Sequence, residues 1–190
     1  STGAFYYWRD EFGNVKNPVA YREQLRWTTV EDRMINTARL IYMPVKNVIF
    51  VATGGYDWMQ IGENRLTPAT FDLSNGQGSY SRDERIVRNK STNITGEWGK
   101  EIATDMNFSA LVGFEYQTSK TEFSNNYIPN LTDAYTELSD ISDVPETQVV
   151  RNVYNPTEFS FMGFFTKMKW DYKGKYFVEG TFRRDGSSRF

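Results

Sequence analysis

Apolar and polar positions alternate with a period of two along most of this chain. The clearest run sets Met106, Phe108, Ala110, Val112, Phe114 and Tyr116 against Asn107, Ser109, Leu111, Gly113, Glu115 and Gln117. That period belongs to a strand with two unlike faces, because successive side chains leave a pleated backbone on opposite sides. A second run puts Val48, Phe50, Ala52, Gly54, Tyr56 and Trp58 on one face, with Thr53, Gly55 and Asp57 on the other. From Val48 to Trp58 is 11 residues, close to the ~9–11 that a tilted strand needs to cross a bilayer. The pattern predicts further strands over about 27–43 and 82–99, and a closing hairpin whose polar turn lies at 171–175. On the 82–99 strand Arg88 and Lys90 share the face of Thr92, Ile94, Gly96 and Trp98. Residues 1–26 have no clean period and read as an outer loop preceding the strands. Two long polar loops are expected, about 62–81 and about 119–157, each marked by Pro, Asn and Gly.

Connections therefore alternate between short and long, as in an antiparallel up-and-down transmembrane β-barrel with tight turns at one end and long outer loops at the other. Aromatic residues follow the same division. Tyr42, Trp98, Trp170, Tyr172 and Tyr176 adjoin short turns, and Tyr56, Trp58 and Tyr116 adjoin long loops. Two lipid-facing girdles are thus predicted, where amphipathic rings are favoured. Lipid offers no partner to an unpaired backbone group, so spanning strands must close on themselves. About six strands cannot close around charged side chains, which implies that this all-β segment belongs to a larger barrel in a longer chain. Alternation alone leaves a soluble β-sandwich, a carbohydrate- or peptide-binding domain, as the alternative.

Composition narrows the chemistry. The chain has 190 residues, 39% hydrophobic and 16% aromatic, with 22 basic and 24 acidic side chains and a net charge of −2. No basic field favours nucleic acid. With no cysteine and no histidine, disulfides, thiolates, imidazole bases and the common zinc sites are excluded. No run of ~18–20 apolar residues supplies a transmembrane helix. The opening residues also lack the charged-then-apolar pattern of a signal peptide. Mean hydropathy is −0.61, which a barrel tolerates because its two faces cancel. Neighbouring acids at 83–84 and 97–101 form no carboxylate pair that sequence spacing places for glycoside hydrolysis.

The closing residues DYKGKYFVEGTFRRDGSSRF resemble a signature segment of the SusC/RagA family of TonB-dependent outer-membrane transporters. Asp171, Tyr172, Lys173, Lys175, Tyr176 and the run from Arg183 to Phe190 carry the match, and TGGYDW at 53–58 and LVGFEYQ at 111–117 also look like strands of that family. Where members often have Phe-Gly-Arg before the hairpin, this chain has Phe165, Thr166 and Lys167. The resemblance implies a 22-stranded, plugged barrel in the bacterial outer membrane that imports oligosaccharides or peptides. A SusD-like surface lipoprotein and the TonB complex would be its partners, and no cofactor, metal or covalent chemistry is implied. No plug or TonB box is read in these residues.

In a barrel, Asp57, Glu97, Glu115, Lys167, Lys169, Glu179, Arg183 and Asp185 point to the lumen, where they would line the path or meet the plug, or else form a solvated, mutually paired wall. Asp185-Gly186 suits a turn or bulge, and the flanking arginines suit bidentate clamping of plug carboxylates. Tyr80, Tyr127, Tyr135 and Tyr154 in the long loops are candidates for contact with substrate or lipoprotein, with packing inside its own loop as the alternative for any one of them.

Overall fold

The computed structural model describes residues 22, 24–69, 71, 77–131 and 148–189. Seven strands follow in order: β1 (Arg26–Tyr42), β2 (Val48–Thr67), β3 (Gly78–Ala103), β4 (Met106–Leu131), β5 (Val150–Val153), β6 (Thr157–Tyr172) and β7 (Tyr176–Ser187). They form one sheet of order β1-β2-β3-β4-β6-β7, with the short β5 paired to β4 beside that path. Each long strand is thus the neighbour of the long strand before it, the up-and-down order that alternating connections predict.

The strands outrun their expected ends. β2 continues to Thr67, β3 begins at Gly78, and β4 runs to Leu131. Residues 62–67, 78–81 and 119–131 are therefore ladder rather than loop, because a neighbouring strand accompanies each stretch and satisfies its backbone groups. The connection expected over 99–105 shrinks in the same way to Thr104 and Asp105. Arg22 and Gln24 are helical where a loop was expected; of the rest of 1–26, only Leu25 and Arg26 are described.

Short turns close with local hydrogen bonds. Val48 N–H donates to the Val45 carbonyl at 3.2 Å and Lys175 N–H to that of Tyr172 at 3.1 Å. Lys173 and Gly174 both have positive φ, 55° and 60°, the backbone whose twist matches a right-handed hairpin. Lys173 N–H also donates to the Asp105 carbonyl at 2.7 Å, which ties neighbouring turns together.

Asp185 and Gly186 form neither turn nor bulge. The β6–β7 ladder runs straight through them, pairing Gly163 with Asp185 and Met162 with Gly186.

Two compact units emerge, one of Ser1–Asp32, Gln60–Arg85 and Glu122–Asn155, the other of Arg33–Met59, Ile86–Thr121 and Pro156–Phe190. The first holds a small core of Leu66, Tyr80, Ile128 and Leu131, with Val149 packed against it. The second has an apolar face that nothing covers among the described residues: Val112 is 60% exposed and Phe182 65%, with Phe164, Met168 and Phe50 exposed beside them.

Candidate functional site: the polar face of the sheet

Strand pairing decides which side chains share a face. In the second unit β4, β6 and β7 form continuous rows, Glu115–Gly163–Asp185, Gly113–Phe165–Arg183, Leu111–Lys167–Thr181 and Ser109–Lys169–Glu179. All of these are odd-numbered and lie on one face. The intervening rows, such as Phe114–Phe164–Arg184 and Val112–Thr166–Phe182, make up the other. β2 and β3 keep the same parity. Asn89 hydrogen-bonds Asp57 on the polar face, and a side chain at Gly96 would meet Phe50 and Val112 on the apolar face.

The eight charged candidates Asp57, Glu97, Glu115, Lys167, Lys169, Glu179, Arg183 and Asp185 all occupy polar-face positions. Seven of them fall into three ion-paired groups. Arg33 donates to both Asp57 oxygens, at 3.0 and 2.9 Å, and the Asn89 amide adds a third bond at 3.4 Å. Lys167 lies 2.6 Å from one Glu179 oxygen and Lys169 lies 3.7 Å from the other. Arg183 bonds Glu115 at 2.9 Å and Asp185 at 2.8 and 3.0 Å. Glu97 stands exposed on the same face.

The Arg183 group is built around two glycines. A Cβ at Gly163 would lie 2.6 Å from an Asp185 oxygen and 3.0 Å from the Arg183 guanidinium, and one at Gly113 would lie 2.1 Å from the Phe165 ring. Each glycine receives its cross-strand neighbour flat against the sheet. The Arg183 guanidinium then lies 5.8 Å from the Phe161 ring centre and 5.6 Å from that of Phe165, within cation–π range. Sequence reading missed Phe161, Phe165, Gly113 and Gly163; the available signal was two aromatics and two glycines at polar-phase positions. Of the two expected clamps, Arg183 is already engaged by the wall itself, and Arg184 is on the opposite face.

Two hollows open on the polar face of this unit. One, of about 970 Å³, lies near the short turns between Ser109, Asp171, Lys169 and Glu179. The other, of about 320 Å³, has Gly55 at its floor and Asn89, Ser91, Gln117 and Phe159 around it. Hydroxyls, amides and paired charges of this kind suit hydrogen bonding to a polar chain. No group of metal-ligating side chains occurs among the described residues.

The girdle candidates Tyr42, Tyr56, Trp58, Trp98, Tyr116, Trp170, Tyr172 and Tyr176 all occupy apolar-face positions. Near the β6–β7 turn the Trp170, Tyr172 and Tyr176 rings stack in series at 6.0 and 6.5 Å.

In the first unit the loop tyrosines separate. Tyr80 is 1% exposed, and its hydroxyl donates to Asn64 at 3.1 Å. It is a core residue with no surface to offer a ligand, which corrects its expected contact role. Tyr154 is exposed and packs on Phe123 at 5.2 Å, while Tyr127 pairs with Val150 and is partly exposed. Tyr135 lies outside the described residues.

No protein-family profile matches the chain. Over 92% of its length it is 26% identical to TonB-dependent receptor P26 of Formosa agariphila and 23% identical to TonB-dependent receptor P39 of the same organism. It spans only 18% and 17% of those two proteins. The solved RagAB peptide transporter matches 98% of the chain with a TM-score of 0.82 at 16% identity, using 20% of the transporter chain. The siderophore receptor PiuA from Acinetobacter baumannii matches 85% with a TM-score of 0.54 at 13% identity, using 26% of that chain. Two unlike faces, the closing motif on β6 and β7, and a sheet shared with the solved RagAB transporter converge: this chain folds as a SusC/RagA-type segment of an antiparallel, up-and-down transmembrane β-barrel and is similar in sequence to two TonB-dependent receptors.

Proposed function

We propose that the chain forms part of the wall and outer loops of a TonB-dependent importer in the bacterial outer membrane. The single observation that carries this reading is the division of the sheet: exposed Val112, Phe164 and Phe182 on one face, ion-paired Arg33–Asp57 and Arg183–Glu115 on the other. An apolar face this exposed is a liability in water and a requirement in lipid. The paired charges suit a lumen wall, because each is neutralised where a polar substrate or a plug passes. The soluble sandwich needs a second sheet over the apolar face, and none packs there among the described residues.

The cargo is a polar oligomer, oligosaccharide or peptide, which a SusD-like lipoprotein delivers at the outer loops and the TonB complex releases inward through the plug. The hydroxyl and amide lining around Gly55 supports a hydrogen-bonding path, and no step needs covalent chemistry. The test is uptake by cells carrying the full-length protein. Deleting it should abolish import of its oligosaccharide or peptide and leave outer-membrane integrity intact. Import that persists without the protein, or recovery of the folded chain in the soluble fraction, overturns the proposal.

A further inference from the structure

A third hollow belongs to the first unit and takes no part in the groups described above. It measures about 240 Å³ and is lined by Ile61, Glu63, Arg65, Asp83, Arg85 and Phe123, all residues of that unit. All six occupy odd-numbered positions of β2, β3 and β4, whereas Leu66, Tyr80 and Ile128 of the small core occupy even ones. The hollow therefore opens on the face of these strands opposite that core. Pockets for whole ligands run to ~300–1,000 Å³, so this one suits a single unit of an oligomer.

Its polar groups are held in place without cancelling one another. The Arg65 guanidinium lies 4.4 Å from the Trp27 ring centre and donates to Glu63 at 3.0 Å. The Arg85 guanidinium lies 6.0 Å from the ring centre of Phe123, which Tyr154 backs at 5.2 Å. Asp83 accepts from the Asn125 side-chain amide. Among the described residues no carboxylate engages Arg85 and no base engages Asp83. A donor fork without an acid thus stands two residues from an acid without a cation, beside an aromatic ring.

That juxtaposition selects an occupant. A carboxylate or sulfate would satisfy Arg85 but meet Asp83 and Glu63 at like charge, and an ammonium group would meet two arginines. A hydroxyl both donates and accepts, so adjacent hydroxyls can take a bond from Arg85 and give one to Asp83 with no charge conflict. A peptide main chain offers one donor and one acceptor every ~3.3 Å. A pyranose instead crowds several hydroxyls around one ring and keeps an apolar C–H face for Ile61 and Phe123.

We infer that this hollow is a subsite for one neutral pyranose unit, with Asp83 and Arg85 bonding adjacent hydroxyls, which makes the cargo an uncharged oligosaccharide. The inference deepens the importer reading above and rests on it, because that reading turns the odd-numbered face of these strands toward the lumen.

The test offers the full-length transporter in detergent micelles three probes and counts bound ligand by native mass spectrometry. The probes are an equimolar mixture of neutral gluco-, manno-, galacto- and xylo-hexasaccharides, a mixture of hexauronates, and a mixture of hexapeptides. Wild type should retain a neutral hexasaccharide about tenfold better than either other class. Arg85→Gln should weaken that retention about tenfold, and Asp83→Asn about fivefold because a neutral acceptor remains. The sign of the Asp83→Asn effect separates the occupants, since losing a like charge would strengthen binding of an acidic sugar. Preferential retention of hexauronates or hexapeptides, retention of none of the probes, or unchanged retention in both variants overturns the inference. Heat-modifiable migration on gels is recorded for every sample. A wild-type chain without it refutes the membrane importer itself, whereas a folded barrel that prefers peptide or uronate refutes only the subsite.

Discussion

The Phe165 ring occupies the space that a side chain at Gly113 would need: a Cβ there would sit 2.1 Å from the ring's terminal carbon. The two residues face each other across the β4–β6 ladder. Gly113→Ala must therefore push the ring out, away from the Arg183 guanidinium that lies 5.6 Å from its centre. The expected cost is about 1–3 kcal/mol of stability, typical of overpacking. Urea unfolding of the full-length barrel in lipid vesicles measures it. Adding Phe165→Leu should recover most of the loss, and a double variant as unstable as the sum of the singles would refute steric coupling.

Tyr80 and Ile128 anchor the small core of the first unit, at 1% and 0% exposure. Ile128→Ala should cost about 2–5 kcal/mol by leaving a cavity. Tyr80→Phe should cost only about 1 kcal/mol, the net value of its bond to Asn64. Hydrogen exchange should quicken around Leu66, Tyr80 and Leu131. Substrate affinity should not change in Tyr80→Phe, since no ligand reaches that hydroxyl; a large fall in affinity without faster exchange would contradict its core role.

Why some of this was legible in the sequence is a matter of range. Which face a residue takes depends on parity alone, so Asp57 and Glu115 could be set apart from Tyr56 and Tyr116 without knowing any partner. Partners depend on register. That Arg183 meets Glu115, 68 positions away, or that Gly113 meets Phe165, follows only once β4, β6 and β7 are aligned. Strand ends failed for a related reason. Asn64 and Tyr80 looked like loop residues by composition, yet β2 and β3 hold them because cross-strand bonds outweigh weak intrinsic propensity. Asp185-Gly186 read as a turn on the same local grounds, and an intact ladder overrode it.

Arg183 separates two acids that share one row, Glu115 and Asp185, with Gly163 between them. Arg183→Ala should leave two carboxylates facing each other and destabilise the wall more than Glu115→Gln or Asp185→Asn, each of which removes only one partner. Arg183→Lys should fall between, because an ammonium cannot reproduce the fork that bonds both acids. The three groups are part-exposed, so raising salt should narrow the differences. Thermal unfolding of the four variants in low and high salt gives the order; equal midpoints for Arg183→Ala and Glu115→Gln would show that the cluster does not act as a unit.

The decisive comparison is between two arginines placed on opposite faces. Val112 lies six residues from the β4 start and is 60% exposed on the apolar face. Six residues climb about 15 Å at the usual tilt, near the middle of the apolar band. Thr181 lies on the polar face opposite Lys167, beside Glu179. Val112→Arg should cost about 2–4 kcal/mol, the price of a guanidinium near the bilayer midplane. Thr181→Arg enters an aqueous wall where water and salt screen the added charge, so its effect should stay within about 0.5 kcal/mol. Denaturant titration in phospholipid vesicles measures both. In detergent-free water no such asymmetry is expected, because an arginine on an exposed face is then well solvated. Equal tolerance of the two substitutions in lipid would mean that Val112 does not face hydrocarbon, and the membrane assignment of the whole apolar face would fall with it.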